Sequence, residues 1–98
     1  MLKKTYAKTG RTCRVTFKLP TEVEAENALL VGDFNGWSDA ASPMKRLRDG
    51  SFSATVSLEA GQEYRFRYLL DNQRWENDWA ADAYQANPYG SDDSIVAV

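Results

Sequence analysis

EYRFRYLL, Glu63 to Leu70, is the stretch that decides the fold. Taken at every second position, it sets Tyr64, Phe66, Tyr68 and Leu70 on one side and Glu63, Arg65, Arg67 and Leu69 on the other. A period of two belongs to a strand, whose successive side chains leave opposite faces, so an apolar row backed by a charged one describes a strand half-buried on a core. Asp71-Asn72 then turns the chain back.

The same alternation spreads outward from this stretch. TCRVTFKL, residues 12–19, aligns Cys13, Val15, Phe17 and Leu19 against Thr12, Arg14, Thr16 and Lys18, and stops at Pro20. FSATVSL, residues 52–58, aligns Phe52, Ala54, Val56 and Leu58 and is entered through the turn pair Asp49-Gly50. ALLVGDF, from Ala28, is a continuous apolar run that suits a more central strand, and SIVAV closes the chain. Only TEVEAENA (21–28) and WAADAYQA (79–86) hint at helix, and both are too short to cover a sheet. Five to eight short strands must therefore bury their faces against each other, which predicts an all-β fold, a small antiparallel β-sandwich.

Length and composition set the outer limits. The 98 residues are one domain's worth, and no repeat, low-complexity tract or linker divides them, so one domain spanning 1–98 is expected. A globule this small hides roughly 60–65% of its unfolded surface, which leaves little room for a deep catalytic cavity. With 12 basic and 14 acidic residues scattered along the chain, the net charge is −2, and no concentrated basic patch suits a nucleic acid. The first residues lack an apolar run, so the expectation is neither signal peptide nor membrane contact, and a cytoplasmic location. With no histidine and one cysteine, the usual zinc sets and the Ser-His and Cys-His pairs are missing; no metal, cofactor or catalytic residue is expected. Cys13 falls in phase with Val15 and Phe17, as a small core residue would.

The informative aromatics stand outside this alternation. Trp37, Trp75 and Trp79 all fall in or beside turns, the first within GDFNGWSD, Gly32–Asp39. An indole in a loop either folds back on the sandwich or offers a flat apolar face to a ligand. A glucose ring suits such a face, because its C–H groups pack on the π-cloud while its hydroxyls project sideways to hydrogen-bonding groups. Trp37 and Trp75 would be the floor, with Arg67, Asn35 and Asp93 at the edge. Packing of these rings on the loops, and a solvated charged face for Arg65 and Arg67, stand beside that reading. So does a catalytic carboxylate pair among Asp71, Glu76, Asp78 and Asp82, although nothing builds a cleft around them and solvated or capping carboxylates are the ordinary explanation.

Several elements in order carry a resemblance: the Gly-Asp-Phe-Asn-x-Trp loop, a Gly-x-Phe strand, Gly-x-x-Tyr-x-Phe-Arg-Tyr, a turn leading to a tryptophan, and a terminal Gly-x-x-x-Ser-Ile-Val. From about Thr12 to Val98 the chain resembles carbohydrate-binding module family 48, the isoamylase N-terminal or early-set domain. That family includes the glycogen-binding domain of the AMP-activated protein kinase β subunit and the domains preceding the barrel in glycogen-branching and debranching enzymes.

The resemblance implies an immunoglobulin-like, early-set sandwich that binds α-1,4-linked glucans such as glycogen, starch or maltooligosaccharides without catalysis. It also implies a partner that is a glucan-metabolising enzyme or a kinase-type subunit. Carried over residue by residue, it places the stacking tryptophans at Trp37 and Trp75 and the basic residue at Arg67. Tyr89 becomes the residue beside the sugar chain, Ser91 a hydroxyl neighbour, and Asp93 stands where the usual residue is asparagine.

Three departures bear on the site. Asp93 only accepts hydrogen bonds where an amide also donates. Trp79 stands where many relatives have proline, and its ring either extends the platform or covers it. The turn DNQRW is one residue longer. Two rival readings remain open: a protein-interaction module that has lost sugar binding, and an accessory domain of family 13 glycoside hydrolases.

Overall fold

The computed structural model describes residues 2–38 and 42–98. Nine strands are present among them: β1 (Leu2–Tyr6), β2 (Thr12–Leu19), β3 (Ala28–Gly32), β4 (Lys45–Arg46), β5 (Phe52–Glu59), β6 (Glu63–Leu70), β7 (Arg74–Glu76), β8 (Ala83–Ala86) and β9 (Asp92–Ala97). One sheet runs β1-β2-β5-β4 and the other β3-β6-β9-β8, with every pairing antiparallel. β7 pairs with Tyr68–Leu70, beyond the Glu63–Phe66 segment of β6 that pairs with β9. The molecule is 23 Å across its shortest axis, as two sheets about 10 Å apart with side chains on their outer faces require.

The alternation seen in the sequence builds the core. Cys13, Val15, Phe17 and Leu19 of β2 face Phe66, Tyr68 and Leu70 of β6 across the sandwich, and all are at most 1% exposed. Phe17 and Phe66 meet edge to face at 5.0 Å between ring centroids, and Phe66 and Tyr68 at 5.6 Å. Each such ring taken from water contributes about 1.5–3 kcal/mol. One polar network enters this interior. The Tyr68 hydroxyl donates to Asp78 Oδ2 at 2.7 Å, the Asp78 amide donates to Ser94 Oγ, and Ser94 donates to Asn77.

Four expectations need correction. Nine strands exceed the expected five to eight. The unexpected β1 carries Lys4 in the register of Val15, where a lysine masks the alternation; its ammonium is held by Asp82 at 2.7 Å. Neither helical hint forms an α-helix: Thr21–Val23 makes one 3₁₀ turn that ends at Glu24 with φ 51°, and part of WAADAYQA pairs with β9 as β8. Asp78, expected to be solvated or capping, is 1% exposed, and it also caps its own turn by accepting from the Ala80 amide. ALLVGDF, expected to be more central, forms β3 at the edge of its sheet, its apolar run buried from both faces rather than flanked by strands. Ala54 and Val56 do pack against the core, though only partly buried.

Three apolar side chains are buried away from this core. Val31, Leu69 and Ile95 sit at outward positions of the second sheet, in register with Arg67, with Leu29 and Trp75, and with Arg65, yet none is more than 7% exposed. The outer face of that sheet is therefore covered by side chains above it. No helix among the described residues is long and apolar enough to cross a membrane.

Candidate functional site

The side chains above that outer face enclose a groove. It has a volume of about 740 Å³ and is lined by Trp37 and Asp33 from the loop after β3, and by Arg65 and Arg67 of β6. Trp75 of β7, Asp93 of β9 and the turn Asn87-Pro88-Tyr89 complete it.

The loop that carries Trp37 is built to hold it. Gly32 is obligatory by close approach: a Cβ there would lie 2.5 Å from the Arg65 carbonyl oxygen and 2.9 Å from Phe66 Cβ. Asn35 returns its side chain to the loop, accepting from the Gly32 amide and donating to the Leu30 carbonyl and to Ser42. Phe34 packs on Phe17 and Tyr64, anchoring the loop to the core. Gly36 and Trp37 both take positive φ, 68° and 59°, which swings the indole off the sandwich. Its Nε1–H donates to Asp33 Oδ1 at 2.9 Å, while Asp33 Oδ2 accepts from the Arg65 amide at 2.8 Å. One carboxylate thus fixes the ring and ties the loop to β6. Trp37 remains 37% exposed and Trp75 44%.

The opposite wall depends on Asn87. Its Oδ1 accepts from the amides of Tyr89 and Ser91, and its Nδ2 donates to Ser91 Oγ and to Asp93 Oδ1. Asp93 Oδ2 faces Arg65 Nη1 at 3.5 Å. Asp33 and Asp93 therefore spend all four of their oxygens on donors within the protein. Arg67 lies with its guanidinium 5.5 Å from the Trp75 ring centroid, a cation–π distance, and its Nη1 reaches Ser91 Oγ at 3.5 Å.

The structure brings Trp37, Arg67, Trp75, Tyr89 and Asp93 to one groove. Tyr89 is 91% exposed at its rim. Ser91 adjoins the groove through Arg67 without lining it. Asn35, expected at the edge, is instead consumed by the loop. Trp79, 55% exposed, stands outside the lining and neither extends nor covers the platform. Asp39 lies outside the described residues.

Asp33 and Asn87 were missed. An aspartate four residues before Trp37 and an Asn-Pro turn were the available signals. Half-exposed indoles over hydrogen-bonding groups offer a flat apolar floor with polar edges. A family model described as carbohydrate-binding module 48 (isoamylase N-terminal domain) matches residues 8–89.

The chain belongs to that family. Carbohydrate-binding modules of family 48 are binding units rather than catalytic ones, and their fold is the immunoglobulin-like sandwich seen here in two antiparallel sheets. The family match ends at Tyr89, so the far side of the groove, from Ser91 to Asp93, is described by the structure alone.

Proposed function

We propose that this family 48 module binds α-1,4-linked glucans, such as glycogen, starch or maltooligosaccharides, and performs no catalysis itself. The observation that carries the reading is that Trp37 and Trp75, from separate parts of the chain, stay half exposed and line one groove. Adjoining glucosyl units rest their C–H faces on the two rings. Arg67 donates to their hydroxyls, Tyr89 flanks the chain, and Ser91 and Asp93 hold Arg67 and the Asn87 turn in place. In this reading the unit docks a glucan-metabolising enzyme or a kinase-type subunit onto its polymer.

An open platform of this kind binds weakly, with dissociation constants of roughly micromolar to millimolar. Affinity electrophoresis through glycogen tests it. The wild type is expected to be retarded, and Trp37→Ala and Trp75→Ala each to migrate freely while keeping the wild-type thermal midpoint within a few degrees. Unretarded wild-type protein would instead favour a partner-docking module, for which β8, exposed at all four positions on a sheet edge, is the specific feature. Sugar release from maltoheptaose by clean protein would overturn the non-catalytic reading.

A further inference from the structure

The charged groups of the groove are not matched evenly. Two carboxylates and two guanidiniums line it, so the formal sum is zero. Asp33 is engaged by the Trp37 indole and the Arg65 amide, and Asp93 by Asn87 and by Arg65 itself. No carboxylate is left for Arg67. Among the described residues it makes no ion pair; its contacts are the Trp75 ring and a long hydrogen bond to Ser91. Its Nε–H is buried and has no partner, and a buried donor left unpaired costs about 1–3 kcal/mol.

The groove is thus polarised along its length. Its Trp37 end carries the Asp33 carboxylate, and its Trp75 end carries the uncompensated Arg67 fork.

We infer that the groove selects glucans bearing an oxyanion substituent, a phosphate monoester or a carboxylate, on the unit that rests against Trp75. This rests on the glucan reading above and names the substrate class within it. A guanidinium meets a two-oxygen anion through two parallel N–H donors, a geometry that a neutral hydroxyl does not match. Turning the Nε edge of Arg67 toward such an anion would satisfy the orphaned donor as well. The same substituent at the Trp37 end would meet the negative Asp33. Selection is therefore by position as well as by charge.

Calorimetric titration tests this with three probes: maltoheptaose, maltoheptaose carrying one phosphate monoester, and maltoheptaose carrying one C6 carboxylate. The charged probes are expected to bind about five- to tenfold more tightly than the neutral one at about 20 mM salt, and the ratio to shrink severalfold at about 300 mM. Arg67→Gln should bring the ratio to one or below, whatever it does to neutral glucan. Arg67→Lys should keep part of the preference, since charge survives and the fork does not. Comparing the two charged probes tells which oxyanion the site prefers.

Neutral binding with a wild-type ratio of one or below would overturn the inference while leaving the glucan reading intact. A preference that persists in Arg67→Gln would also overturn it. If no probe binds, the glucan reading falls and the inference with it. Should Arg67→Gln not fold, the wild-type ratio and its salt dependence decide alone.

Discussion

Gly32 has two duties, and its chemistry serves both. It ends β3 where the strand passes so close to β6 that any side chain meets the Arg65 carbonyl, and it precedes the Asp33 carboxylate that orients Trp37. Gly32→Ala should destabilise the fold by about 1–3 kcal/mol through overpacking and, on the function proposed above, should weaken glucan binding too. Urea unfolding reads the first effect, and an unchanged midpoint would remove Gly32 from this account. Tyr68 gives a second case. Burial first, then the Asp78 charge and hydrogen bond, raise its phenol well above the ordinary range. An unfolded tyrosine ionises near about pH 10, so above that pH the folded state retains a proton that the unfolded chain has released. This contribution is whole below about pH 10 and declines as pH rises. Tyr68→Phe should cost about 1–3 kcal/mol by removing the hydroxyl that donates to Asp78 Oδ2 in the interior, and it should flatten the alkaline decline in urea midpoints. At this scale the sequence showed the tryptophans, because an indole in a turn is conspicuous. It did not show Asp33 or Asn87, whose roles depend on atoms that only the fold brings near, such as the Arg65 amide 32 residues away.

Among the elements, the β6–β7 hairpin is the most exacting. Asp71 and Asn72 both take positive φ, 51° and 58°, as a tight hairpin turn demands. Asp71 Oδ1 accepts from the Glu26 and Asn27 amides at 2.9 Å each, clamping the turn to the segment before β3. Those two amides, Asn27 first, hold the Asp71 carboxyl below the usual aspartate range. The Ser51 hydroxyl and amide do the same for Asp49. A folded-state value below the unfolded one means stability that is complete above about pH 4 and drains away as acid protonates the folded group. Asp71→Asn should lower stability at neutral pH and make the acid limb of a stability–pH curve shallower; a limb of unchanged slope would count against the clamp. Legible in the sequence were β2, β5 and β6, through strict alternation, and β3 and β9, through short apolar runs. β1 was hidden by Lys4 in an inward register, and β8 by a helix-like composition that pairing with β9 overrides.

On the scale of the molecule, the groove exists because three pieces distant in sequence meet over one sheet: the loop after β3, the β6–β7 hairpin, and the turn before β9 with the start of that strand. Alternation made the two-layer architecture readable, whereas the groove needed strand order. Pairings such as β3 with β6 join segments more than 30 positions apart, and no local pattern announces them. The same closure has a consequence for Cys13. Its sulfur is shut from solvent in β2, with Tyr6 beside it on β1 and Leu58 on β5. A maleimide or a disulfide reagent can reach it only when the layers part, so alkylation speed becomes a stopwatch for spontaneous opening. That speed should match the rate of complete unfolding measured by fluorescence. If labelling runs faster, β1 is peeling from its neighbour while the rest of the molecule stays shut.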